Sequence, residues 1–150
     1  MEQFTMILNE KFQRPIIYLS NWYRLNALLD TGALFPVWTA PEEALISIGA
    51  TKIKENVKFS GFGGETCGNL YRLKSVSIGK LIFPEMAIIS CNDLKKVPYH
   101  IILSATMFHN LIYEIDIKNH KLNITVPDDE STVRNLRIED TNGKLHILCQ

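Results

Sequence analysis

Leu28-Leu29-Asp30-Thr31-Gly32-Ala33 is the stretch that decides how the rest of this chain is read. An apolar run ends on a carboxylate, followed by a small hydroxyl residue and a glycine. The run has the character of a buried strand, so Asp30 stands where a strand leaves the core. A carboxylate there is costly unless it is paired or hydrogen-bonded. Gly32 lets the backbone turn tightly beside it, and the Thr31 hydroxyl is suited to bonding the backbone of a neighbouring loop.

Outward from this hexapeptide the pattern is mostly strand. Upstream, Phe4 to Phe12 can supply a strand, and Pro15–Leu19 and Tyr23–Leu29 form short apolar or alternating runs with a turn at Asn21. Downstream, Leu34–Trp38 contains Pro36, which marks an edge or irregular strand. Pro41-Glu42-Glu43 is a helix start, with proline in the first turn and two acids complementing the helix dipole, and the helix ends near Gly49. Val57 to Tyr71 places two strand-like arms around Gly61-Phe62-Gly63-Gly64, a hairpin with unusual freedom at its apex. Leu73–Ile78 and Leu81–Ser90 meet at Gly79-Lys80, His100–Leu103 continues the apolar pattern, and Ala105–Asn110 makes a short helical turn. Leu111–Ile117 and Lys121–Val126 read as a further hairpin. Asp128-Asp129-Glu130-Ser131 is an acidic linker. Beyond it, Val133–Glu139 and Lys144–Leu148 flank Asp140-Thr141-Asn142-Gly143, and Asn-Gly between alternating runs signals a hairpin. The reading is an all-β domain over residues 1–127 with one or two short helices, followed at 128–150 by an acidic linker and an appended C-terminal hairpin.

The composition is that of a globular protein, with 46% hydrophobic and 21% charged residues. Lys+Arg and Asp+Glu both total 16, so there is no electrostatic case for nucleic acid or an anionic membrane as partner. No apolar stretch approaches the ~20 residues of a membrane span, and Met1-Glu2-Gln3-Phe4 lacks the positive charge of a signal-peptide opening. Cys67, Cys91 and Cys149 lack metal-like spacing and read as free thiols in a reducing, cytoplasmic setting. Cys67, near the glycine-rich tip, reads as a small apolar side chain. His100, His109, His120 and His146 fit no metal-ligand spacing. Trp22 and Trp38 read as core or rim aromatics.

Asp30-Thr31-Gly32 at a strand end resembles the catalytic loop of the aspartic peptidases, and Ala33 is similar to the retroviral branch. The glycine-rich tip lies about thirty residues later, where the retropepsin-like family has its flap. Ile101-Ile102-Leu103-Ser104-Ala105 resembles the family's late apolar segment, and Leu111–Val126 the hairpin that follows it. The resemblance runs in order over residues 15–126. It implies a closed β-barrel-like retropepsin fold and an aspartic endopeptidase without metal or cofactor. In that chemistry two carboxylates share a proton, one taking a proton from water while the other donates to the carbonyl oxygen.

This chain has one Asp-Thr-Gly, and Asp140-Thr141-Asn142-Gly143 reads as a turn. The resemblance therefore implies a homodimer, with Asp30 facing Asp30 of a second copy across a two-fold axis. It further implies that Thr31 braces the two loops and Gly32 offers its backbone to a peptide or protein substrate. Ala33 and Leu34 would line the cleft, and Gly61, Phe62, Gly63 and Gly64 would cover it. Three features depart from the family. Ser104 stands where glycine is usual, apolar Leu34 and Phe35 replace frequent acids, and the C-terminal hairpin is additional. The alternative they leave open is a catalytically inactive peptide-binding or assembly module on the same fold.

Overall fold

The computed structural model describes residues 1–19, 22–61, 64–91 and 97–149. Among these, strands β1 (Glu2–Ile7), β2 (Ile16–Leu19), β3 (Leu25–Asp30), β4 (Val37–Trp38), β5 (Thr51–Gly61), β6 (Gly64–Ile78), β7 (Leu81–Ser90) and β8 (Ile101–Ser104) precede a 3-10 helix, Ala105–Phe108. β9 (Ile112–Asp116), β10 (Lys121–Val126), β11 (Leu136–Thr141) and β12 (Lys144–Cys149) follow, and the α-helix α1 (Glu42–Ser47) lies between β4 and β5. The fold is all-β, as the sequence implies. The expected turn at Asn21 lies outside the described residues.

Two sheets form. β1, β10 and β9 make a three-stranded sheet; the larger sheet runs β12-β11-β7-β4-β8-β3-β2, with the β5–β6 hairpin joined to β7 through β6. No closed ring of hydrogen-bonded strands occurs among the described residues. The sheets instead close on each other through side chains. Met6, Leu122 and Ile124 of the small sheet share one core cluster with Leu29, Phe83 and Leu103 of the large one.

The centre of the large sheet is covered on both faces, which is why β3 and β8 read as unbroken apolar runs. Successive side chains of a strand point to opposite faces. Ala27 and Leu29 of β3 and Ile101 and Leu103 of β8 accordingly enter the main cluster. Leu28 and Ile102 enter a second cluster with Phe35, Val57, Phe59 and Tyr99. Continuing the alternation, Asp30 falls on the Leu28 face, the side on which Val57 and Phe59 of β5 pack.

Where element ends differ from the expected ones, local chemistry explains it. Tyr23 and Arg24 have φ of 51° and 53°, so β3 begins only at Leu25. Pro36 lacks an N–H and β4 shrinks to Val37–Trp38. The first strand ends at Ile7, although Leu8 still bridges Ile17. α1 starts after Pro41, buries Leu45, and ends at Ser47; two residues on, Gly49 has a φ of 98° that suits glycine.

The C-terminal hairpin joins the main sheet. Its tip, Asn142-Gly143, connects Thr141 to Lys144 with φ of 53° and 80°, the two left-handed residues of a type I′ turn. β11 pairs in parallel with β7 at Leu136 and Met86. Backbone bonds from Ile82 N to Thr132 O (2.8 Å) and Arg134 N to Ile82 O (2.9 Å) extend that junction. Leu136 is 1% exposed and belongs to the main core. The buried Arg134 donates to His109 O and lies 3.6 Å from Glu130.

Candidate active site

Asp30 ends β3 beside Ser104, the last residue of β8, which runs parallel to it. Its carboxylate is half-buried and Oδ1 accepts the Gly32 amide at 3.0 Å. Ala33 N bonds Asp30 O at 3.1 Å and closes the turn. Thr31 and Gly32 are exposed. The motif thus presents an accessible face, with the carboxylate held by one backbone donor.

Gly32 does not need to be glycine for the reason expected. A Cβ there would meet only Asp30 Oδ1, at 3.5 Å, an ordinary contact, and its φ is not in the left-handed region. Within one chain the turn tolerates a side chain; the absence of one keeps the approach to Asp30 open from outside.

The loop after the motif is clamped from behind. Ala105 N donates to Ala33 O (3.3 Å) and Thr106 Oγ1 donates to Leu34 O (2.8 Å). Ser104 Oγ lies 2.7 Å from Thr106 Oγ1. A hydroxyl has one proton, so the relay runs from Ser104 O–H to Thr106 O–H to the Leu34 carbonyl. Ser104, which stands where the family usually has glycine, is fully buried and its hydroxyl is satisfied. Thr106 is a positioning residue with no signature in the sequence, because its partner lies 72 positions away. Ala33 is half-buried, Leu34 is 62% exposed, and Phe35 is buried with its ring edge against Phe59 (centroids 6.3 Å apart).

The β5–β6 hairpin stands where a flap is expected. Its register ends at Gly61 opposite Gly64; Phe62 and Gly63 lie outside the described residues. The register shifts between Lys52 and Lys54 and again between Lys54 and Val57; Asn56, within the second shift, adopts φ 53° and marks a bulge in the stem. Asn69 across the hairpin accepts the Asn56 amide (3.1 Å) and donates to Glu42 Oε1 (2.8 Å). Tyr71 also donates to Glu42, and Lys52 lies 3.7 Å from it. Glu42, legible only as a helix-start acid, therefore ties α1 to the stem of the hairpin. Gly68 in β6 is enforced by close approach, since a Cβ would lie 2.5 Å from Ser90 O. Cys67, read as a small apolar side chain, is exposed.

This network makes a pH prediction. The hydrogen bond from Tyr71, then that from Asn69, hold the Glu42 carboxyl below its ordinary value of 4.5. A depressed folded-state value gives stability present above the unfolded value and lost as pH falls through the folded one. Burial first, and then the bond to Glu42, push the Tyr71 hydroxyl up to about 12. That contribution is present below pH ~10 and fades toward pH 12. Urea midpoints measured between pH 6 and pH 3 are expected to fall less steeply in Glu42→Gln than in the parent chain. Superimposable acid limbs would contradict this.

Among the described residues no group of three or more His, Cys, Asp or Glu side chains is placed to hold a metal ion. His100 Nδ1 instead accepts the Asn26 amide at 3.0 Å. Among those residues, too, no helix is long and apolar enough to cross a membrane.

No family model matches the sequence, and no curated protein matches it. Solved structures do. A crystal structure of a retropepsin-like aspartic protease from Rickettsia conorii superposes with a TM-score of 0.52 at 17% identity, covering 82% of this chain and 89% of that one. At that identity the likeness speaks to architecture. The chain has the fold of the retropepsin-like aspartic proteases.

Proposed function

We propose that this protein is an aspartic endopeptidase whose dyad is completed by a second copy of the same chain. The supporting observation is the placement of Asp30. A half-exposed carboxylate ends a buried strand, is held by the Gly32 amide, and is flanked by exposed residues, on the fold of an aspartic protease. No second Asp-Thr-Gly or Asp-Ser-Gly occurs in the chain. An isologous contact at this face brings the two Asp30 side chains together. Two adjacent carboxylates cannot both ionise, so they share a proton. The ionised member takes a proton from water, and the protonated one donates to the scissile carbonyl oxygen.

The remaining roles follow from position. The exposed Thr31 hydroxyl has no hydrogen-bond partner among the described residues and is free to brace the partner's loop. Gly32 presents backbone to the peptide, with Ala33 and Leu34 beside it. The hairpin whose register ends at Gly61 and Gly64 covers an extended substrate and excludes water. The Ser104 departure does not favour an inactive module, because its hydroxyl is taken up by Thr106, which in turn donates to Leu34 O.

The test is concentration dependence. Cleavage of a peptide library, measured alongside sedimentation velocity, is expected to give a rate per chain that falls on dilution in step with dimer dissociation. A pepstatin-type inhibitor should suppress it. A monomer that retains its rate per chain would refute the shared dyad. A purely monomeric, inactive protein that still binds peptides would favour the binding-module reading.

A further inference from the structure

The loop that follows Asp30 faces a wall that the retropepsin-like segment does not supply. A cavity of about 440 Å3 opens between the loop after Asp30, the flap stem and the tip of the β11–β12 hairpin. This is within the range of about 300–1,000 Å3 for ligand clefts. Leu34, Phe35 and Phe59 form its apolar part. Lys58 reaches it from the flap stem, and Lys144 and His146 from the hairpin.

The hairpin wall is held in place. Asp140 accepts the Gly143 amide at 3.1 Å through Oδ1 and pairs with Lys54 of β5 through Oδ2. That lysine contact, more than the Gly143 bond, holds the Asp140 carboxyl below its ordinary value. Behind the tip, Leu145 and Ile147 pack on the cluster that contains Phe35 and Phe59. Lys54 is thereby occupied. Lys58 and Lys144 form no ion pair among the described residues, and Glu65 is the one carboxylate lining the cavity. Two unpaired lysines and a histidine against one glutamate leave the groove net positive over an apolar floor.

Resting on the peptidase reading above, we infer that the C-terminal hairpin is a specificity wall of the substrate cleft. It selects a peptide that carries an aspartate or glutamate next to an apolar side chain, at a position flanking the scissile bond. The apolar side chain lies on Leu34, Phe35 and Phe59, and the carboxylate is drawn between Lys58 and Lys144. Exposed charge pairs are weak individually, so the expected preference for glutamate over lysine at that position is about fivefold in kcat/KM, shrinking as salt is added.

The experiment uses matched peptides with Glu, Gln or Lys scanned along the flanking positions, and the full-length chain beside its Lys144→Glu and Lys58→Glu/Lys144→Glu variants. Cleavage rates and, in parallel, fluorescence-anisotropy binding are recorded. The expected result is an acidic preference at one position that weakens in the single variant and reverses in the double one, read as the ratio of Glu to Lys peptide within each protein. Cleavage without charge preference overturns the assignment and leaves the peptidase reading standing. Absence of cleavage, with acidic peptides still bound more tightly by the parent than by the variants, removes the peptidase reading and keeps the wall. Absence of charge preference in both readouts overturns the assignment.

Discussion

Asp30→Asn is expected to lower peptide cleavage by about 10³-fold or more, while stability and self-association stay at parent values. Asparagine keeps an oxygen at the position that accepts the Gly32 amide at 3.0 Å, so the turn that closes on Ala33 survives. Asparagine cannot take a proton from water, and cleavage by the dyad stops. Mixing supplies a sharper form of the test. If each active centre needs one aspartate from each copy, equal amounts of parent and variant leave about a quarter of the dimers with two aspartates. Activity per parent chain then drops to about half, although no parent chain has been altered. Full activity of the variant, or simple additivity in the mixture, would end the shared-dyad account. The measurements are initial rates on one peptide substrate, with unfolding midpoints and sedimentation coefficients as controls.

Removal of residues 128–150 is expected to abolish cooperative folding of what remains. The reason lies in what the C-terminal segment buries. Leu136, 1% exposed, sits in the main core opposite Met86 of β7. Loss of one such leucine side chain costs about 2–5 kcal/mol, against a typical total of about 5–15 kcal/mol. The deletion also removes Ile138, Leu145 and Ile147 from the cluster around Phe59, and Arg134 from its bond to His109 O. Urea titration followed by near-ultraviolet circular dichroism is expected to show no sharp transition for the chain ending at residue 127. Leu136→Ala, as the milder variant, should shift the midpoint without abolishing the transition. Equal midpoints for the truncated and full chains would mean that the hairpin contributes nothing to the fold.

These two expectations rest on different kinds of information. Asp30 is legible in the amino-acid order alone, because an acid following Leu28-Leu29 and preceding Thr31-Gly32 is chemically anomalous at the end of a buried run. The short helix after Pro41, the hairpin at Gly79-Lys80 and the type I′ turn at Asn142-Gly143 are legible as well. Each is set by residues within a few positions of one another: a proline without an N–H, glycines tolerant of positive φ, alternating apolar pairs.

What stays hidden in the sequence has one physical cause, which is distance along the chain. Thr106 holds the Leu34 carbonyl across 72 positions, and Tyr71 reaches Glu42 across 29. The Glu42 carboxylate looks like a helix-dipole partner until the stem of the β5–β6 hairpin is folded beside it. The tightness around Gly68 is likewise a property of the β7 backbone at Ser90, not of its sequence neighbours. Gly32 shows the converse: a local argument for glycine exists, and the folded turn does not require it.

By itself, the amino-acid order determined the strand-rich class, several of the turns and the presence of an acid at the end of a buried run, because those depend on local backbone preference and on the cost of burying charge. Only the tertiary structure decided which side chains surround that acid. Sheet pairing between distant strands brings Ser104, Thr106, the stem of the β5–β6 hairpin and the C-terminal hairpin tip around a single loop, and the free energy of that arrangement is distributed over contacts that no stretch of neighbouring residues encodes.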